Sequence, residues 1–198
     1  MLESDVALLS RLGRRLFFTT DDLVKEFRLK PGSARVLASR LCAKGVFLRL
    51  KRGFYTLAQS WERNGRDDFF RIANILQVPS YISFLSALEF YGVTTQVPQS
   101  LVESAAIRRT VRFEVQGVVF GYYKLKPGLY GFFLRRNGVF IATPEKALVD
   151  ALYLYSLGRY RIDFPALEPA KLDRRVLSRI GRAYPEKTRA ILERVCGI

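Results

Sequence analysis

The chain has 198 residues, with 33 Lys and Arg against 18 Asp and Glu, giving a formal charge of +15 and a pI near 10.2. That length holds one ordinary domain or two small ones, and 49% apolar with 13% aromatic residues supplies a real core, which excludes a disordered basic tail. The absence of any histidine removes the commonest general base, the Ser/His/Asp and Cys/His arrangements and nearly all catalytic zinc sites.

Cys42 and Cys196 are too far apart in sequence for a metal knuckle or a dense disulfide framework, which fits a reducing cytoplasm. No charged segment followed by an apolar one opens the chain, and the most apolar stretch, residues 80–93, is short and carries Glu89, so neither export nor membrane spanning is expected.

Ser4 can cap a first helix with Val6, Leu8, Leu9 and Leu12 on its apolar side, ending at Gly13. Thr20 is a second N-cap, with Asp21 and Asp22 in the first turn and Leu23, Val24 and Phe27 as the apolar stripe. Pro31 and Gly32 turn the chain into a third helix over about 33–44, closed by Gly45. Ala34, Leu37, Ala38 and Leu41 fall at the spacing of one buried stripe, so Ser33, Arg35, Val36, Ser39, Arg40 and Lys44 face outward. Short polar groups, a methyl-bearing side chain and flanking long cations suit a DNA major groove, where Arg reaches guanine edges and an apolar group meets a thymine methyl.

Residues 46–57 alternate through Phe47, Arg49 and Lys51 to an Arg52-Gly53 turn and return through Phe54, Tyr55 and Leu57, which reads as a β-hairpin. Three helices and a hairpin make a winged helix-turn-helix, whose wing carries Lys51 and Arg52 towards phosphate or a minor groove. Between Arg28 and Arg52 there are eight cations (Arg28, Lys30, Arg35, Arg40, Lys44, Arg49, Lys51, Arg52) and no acid, an electrostatic footprint for a polyanion. The same elements also build protein-interaction modules, although such a surface ordinarily intersperses acids. Arg14 and Arg15 suit phosphate contacts and plain solvation equally.

Polar residues and Gly65 interrupt the pattern over 60–68, dividing the chain into a winged-helix domain (1–60), a connecting segment (61–77) and a C-terminal domain (78–198). In the last, Tyr81 to Tyr91 has helical spacing and ends at Gly92; five β-rich runs follow at 101–107, 111–115, 118–125, 131–135 and 139–141. Turn signals separate the runs, Asn137-Gly138 being the strongest, so the expected core is an antiparallel sheet. Thr143, Pro144 and Glu145 start a helix with Ala147, Leu148, Ala151, Leu152 and Tyr155 on one face, and two Arg-rich helices follow at 171–182 and 186–195. The fold class is α+β: an N-terminal winged helix-turn-helix followed by an antiparallel-sheet domain flanked by helices. Seven cations between 108 and 136 (Arg108, Arg109, Arg112, Lys124, Lys126, Arg135, Arg136) suggest a second basic surface. The interleaved Phe113, Tyr122, Tyr123 and Tyr130 could stack on bases, but strand aromatics more often form core and cross-strand pairs.

The segments LRLKRGFYTL, YISFLSALEFYGV and above all IATPEKALVDALY together resemble the AbiEi antitoxins of type IV toxin–antitoxin systems, over about residues 4–157. The resemblance implies a bacterial or archaeal, cytoplasmic protein that binds double-stranded DNA at promoter repeats and represses its own operon. It also implies counteraction of a nucleotidyltransferase-like toxin without a stable complex, by a monomer that pairs on repeated sites. Arg35, Arg40, Lys44, Arg49, Lys51 and Arg52 are the DNA-contacting candidates that it carries over. Thr143, Pro144, Glu145, Lys146 and Asp150 match the family segment, although a capped helix with local ion pairs accounts for them equally. No enzyme activity, cofactor or metal is implied. The alternatives are a solitary winged-helix regulator, a protein-interaction module, and a metal-dependent nuclease using Glu103 and Glu114. The nuclease is disfavoured because no Asp/Glu-x-Lys triplet follows either strand.

Overall fold

The computed structural model of the protein describes residues 9–96 and 100–198. Ser4, Val6 and Leu8, assigned to the first helix from sequence, lie outside them. The chain divides into two compact units, Met1–Ile72 and Ala73–Ile198.

In the first unit, residues 9–13 are helical (α1) and are followed by β1 (Phe18–Thr19), α2 (Thr20–Phe27), α3 (Pro31–Ala43), β2 (Phe47–Lys51), β3 (Phe54–Leu57), α4 (Ala58–Trp61) and the start of α5 (Arg66–Leu76), whose last turn belongs to the second unit. The cap of α2 is Thr19, one residue earlier than the sequence suggests. Its hydroxyl accepts the Asp22 N–H at 3.2 Å while the Asp22 carboxylate accepts the Thr19 N–H at 2.7 Å. That reciprocal pair satisfies two otherwise orphaned donors, and Thr20 N–H is free to bond the Gly53 carbonyl at 3.0 Å. Likewise, Pro31 and Gly32 begin α3 rather than turn the chain before it: Lys30 is the N-cap and Pro31 occupies the first helical position. There its fixed φ fits and its missing N–H costs nothing.

The strands form an antiparallel sheet in the order β1–β3–β2, with Phe18 opposite Tyr55 and Tyr55 opposite Arg49. Leu12, Phe18, Leu23, Ala34, Ala38, Phe47 and Tyr55 close into one core beneath it. The Phe18 and Phe47 rings meet edge-on at 4.8 Å, a favoured aromatic geometry.

The second unit contains β4 (Ser80–Ile82), α6 (Phe84–Phe90), β5 (Leu101–Ala106), β6 (Val111–Val115), β7 (Val118–Lys124), β8 (Phe133–Arg136), β9 (Val139–Ala142), α7 (Pro144–Ser156), α8 (Arg174–Gly181) and α9 (Glu186–Cys196). It is α+β as expected, but its sheet is mixed rather than antiparallel. Six strands run in the order β6–β7–β5–β4–β9–β8, with β5 parallel to β7 and β4 parallel to β9. The β6–β7 hairpin lies beyond β5, and β6 takes the outer edge of β7, leaving the inner edge to pair with β5 in parallel. Composition marks a strand without naming its partner. A second correction concerns Tyr81 and Ile82, which belong to a three-residue strand rather than to a helix. The helix begins only at Phe84, because pairing with both β5 and β9 outweighs the local helical spacing.

Eleven of the thirteen residues of α7 are buried, which makes it the central helix, packed against α6, α8 and α9. Thr143 caps it by accepting the Lys146 N–H, and Pro144 takes the first position, as the sequence indicates. Asn137 and Gly138 turn β8 into β9 with φ of 49° and 81°, the positive values that a two-residue hairpin turn demands. Strand β8 is an edge of the sheet. Phe132, Leu134 and Phe140 remain 46%, 41% and 42% exposed around it, beside exposed Arg135 and Arg136.

Candidate nucleic-acid interface

Helix α3 turns Ala34 and Ala38 fully into the core and packs Leu41 against it. The outward set is exposed throughout: Ser33, Arg35, Val36, Ser39, Arg40 and Lys44. Val36 stands in the middle of that face at 69% exposure, an apolar side chain with no burial of its own among cations. Ser33, Val36, Arg40 and Lys44 border a groove that continues over Leu37 and Leu41 towards Phe27 and Leu29.

On the other side of α3, Arg35 faces the hairpin. Arg49 and Arg52 are exposed, and the Arg49 guanidinium lies 5.9 Å from the Tyr55 ring. Lys51 is half-buried, with Nζ 4.2 Å from the Phe54 ring, and burial lowers its pKa. Arg14 is exposed, whereas Arg15 pairs with Asp22 at 2.9 Å and Glu26 at 2.8 Å. The alternatives that the sequence left open for Arg15 thus give way to an ion pair that braces α2.

The seven cations of the second unit do not gather on one surface. Arg108, Arg109, Arg112, Lys124 and Lys126 lie at the end of the sheet formed by β5, β7 and β6, while Arg135 and Arg136 sit on β8 at the opposite edge. The interleaved aromatics pack inward. Tyr122 is buried and donates to the Ala73 carbonyl at 2.5 Å, with Phe113 edge-on to its ring. Tyr123 packs on Phe84 and Tyr160, and Tyr130 on Tyr81 and Phe133.

The Thr143-Pro144-Glu145-Lys146 segment and Asp150 supply a polar cluster inside the second unit. Lys146 and Asp150, 1% and 0% exposed, form an ion pair. Tyr81 and Ser83 donate to one carboxylate oxygen at 3.0 and 2.8 Å. Tyr184 accepts from Lys146 at 2.6 Å and donates to the other oxygen at 2.7 Å. Burial lowers the Lys146 pKa against the pull of Asp150, and it raises those of Tyr81 and Tyr184. Glu145 accepts the Asp173 N–H at 3.3 Å, tying the start of α7 to that of α8. Sequence reasoning found the pair but missed Tyr81, Ser83 and Tyr184, which arrive from distant segments. The available signal was a lysine and an aspartate within a helix apolar on all its other sides.

Glu103 and Glu114 lie on strands separated by β7, Glu103 buried and Glu114 exposed. The Glu103 carboxylate accepts from Tyr160 at 2.7 Å and Tyr123 at 3.4 Å, and the Tyr123 pKa is pushed up to about 12 by burial and by that carboxylate. Among the described residues, no three His, Cys, Asp or Glu side chains cluster to hold a metal. None of their helices is long and apolar enough to cross a membrane.

No family model and no curated protein sequence matches the chain. The fold is similar to the crystal structure of the RV2827C protein from Mycobacterium tuberculosis, with a TM-score of 0.65 at 13% identity, covering 100% of this chain and 77% of that one. At that identity the likeness concerns the fold alone.

Proposed function

We propose that the chain is a sequence-specific DNA-binding protein whose first unit is a winged helix-turn-helix, with α3 as the reading helix and the β2–β3 hairpin as the wing. In keeping with its resemblance to AbiEi antitoxins, it acts as the autorepressor of a toxin–antitoxin operon and counteracts a nucleotidyltransferase-like toxin in the cytoplasm. The element order α1–β1–α2–α3–β2–β3, with β3 central in its sheet, supports the winged-helix part.

The observation that carries the reading is the free face of α3. An exposed valine flanked by Ser33, Ser39, Arg40 and Lys44 has no structural reason to be apolar, and it offers a methyl surface and hydrogen-bonding groups together. Those are the chemistries that a major groove presents.

The test is binding to the DNA upstream of its own gene against a scrambled duplex of equal length, at low and at physiological salt. A preference of about a thousandfold is the lower end of specific recognition. Equal binding to both duplexes, erased by salt, would replace this reading with a basic protein-interaction module.

A further inference from the structure

Three arginines of the first unit converge on one small cavity of about 490 Å³. Arg35 comes from α3, Arg49 from β2, and Arg52 from the hairpin turn. Like charges drawn together repel one another, and such clusters are ordinarily neutralised by acids. Here they are not: none of the ion pairs among the described residues involves Arg35, Arg49 or Arg52. The same unit does pair Arg15, with Asp22 and Glu26. Arg49 lies 5.9 Å from the Tyr55 ring, which brings no countercharge. Asp21 is the single carboxylate on the wall, so the cavity keeps an excess of positive charge.

We propose that this cavity is a phosphate seat, and that its occupant is one phosphodiester of the DNA backbone. The proposal rests on the DNA-binding reading above and deepens it. Three planar guanidinium forks approaching from separate elements suit a tetrahedral anion whose oxygens point in several directions; a flat base edge could meet only one of them. The division of labour on α3 follows. Arg35, with Arg49 and Arg52, fixes the register of the protein on the duplex without reading sequence, and the opposite flank, with Val36 and Arg40, faces the bases.

Two measurements on the full chain test this. The first follows the arginine Nε–H resonances during titration with inorganic phosphate at low salt. Arg35, Arg49 and Arg52 shift saturably and the ion-paired Arg15 does not; unmoved resonances at the three arginines overturn the seat, whatever the protein does with DNA. The second uses the upstream duplex with single uncharged methylphosphonate linkages placed in turn. One linkage weakens wild-type binding about tenfold and leaves the Arg35→Gln/Arg49→Gln variant indifferent, while that variant loses about one unit of salt slope on every duplex in which that phosphate is intact. Circular dichroism and melting of the variant confirm that it is folded. Arginines that respond to phosphate with no such linkage overturn the DNA backbone as the source and leave a small phosphorylated ligand. Wild-type protein that does not prefer its upstream DNA to a scrambled duplex sinks the sequence-specific reading, a result distinct from either of these.

Discussion

Lys146 and Asp150 stand one helical turn apart on α7 as an ion pair sealed from solvent, and Tyr81, Ser83 and Tyr184 supply three further hydrogen bonds to the same carboxylate. Four donors thus occupy about the four acceptor positions that a carboxylate offers. The cluster ties β4, α7 and the segment between α8 and α9 to one buried point.

Removing either partner leaves the other charge buried without compensation. Asp150→Asn or Lys146→Met should each destabilise the protein by about 3–5 kcal/mol, read from denaturant unfolding. The Lys146→Met/Asp150→Leu double variant should recover only part of this, because Tyr81, Ser83 and Tyr184 lose their acceptor. Single variants within about 1 kcal/mol of wild type would show the pair to be energetically idle.

Acid should act on the first unit through Asp22. Burial works against its carboxylate, but the Thr19 hydrogen bonds and the Arg15 charge prevail and hold its pKa below the ordinary 3.8. A lowered carboxyl pKa contributes stability that is in place above the unfolded value and is lost as pH falls through the folded one. Thr19→Ala should cost about 1 kcal/mol at neutral pH, and its deficit should shrink as the pH drops below 3.8, since protonation weakens the bond from the Thr19 hydroxyl to the Asp22 carboxylate in the wild type too. A deficit independent of pH would separate the Thr19 hydroxyl from the carboxylate.

The buried stripe of α3 and the hairpin of the first unit were legible because their signals are short-range, whereas the starts of α2 and α3 were misplaced by one or two residues. Ala34 and Ala38 define the buried stripe of α3, and Arg52-Gly53 marks the hairpin. In the second unit the strands were legible and their partners were not. The pairings of β4 with β9 and β5 with β7 join segments that no turn connects directly, and nothing in the Tyr81–Ile82 sequence says strand until both neighbours are present. For the same reason the seven cations of 108–136, close in sequence, divide between opposite sheet edges, and Arg35 meets Arg49 and Arg52 only through folding.

On α3, Val36→Asn and Arg40→Ala should separate stability from recognition. Both side chains are exposed, so melting should stay within about 0.5 kcal/mol of wild type. Discrimination at one or two base pairs should fall by about 1–3 kcal/mol. Unchanged base preference in both variants would remove α3 from the reading role.

Gly181 closes α8 against α9 at a distance that admits no side chain: a Cβ there would lie 2.9 Å from the Leu192 side chain. Leu192 is buried, so its side chain must shift to admit a Cβ. Gly181→Ala should therefore cost about 1–3 kcal/mol through overpacking, and the additional Leu192→Ala change should relieve part of it. A Gly181→Ala variant as stable as wild type would mean that the Leu192 side chain turns aside into the pocket next to it.

The open edge of β8 bears on how copies of the protein are kept apart. A strand with free backbone donors and acceptors, flanked by Phe132, Leu134 and Phe140, is the kind of surface on which a second copy would extend the sheet and aggregation would start. Arg135 and Arg136 act as gatekeepers, since antiparallel pairing of two such edges would bring four guanidinium groups together. The charge that reads elsewhere as an invitation to a polyanion works here as a repellent between identical molecules, and polyanions or high salt would weaken that protection by screening it.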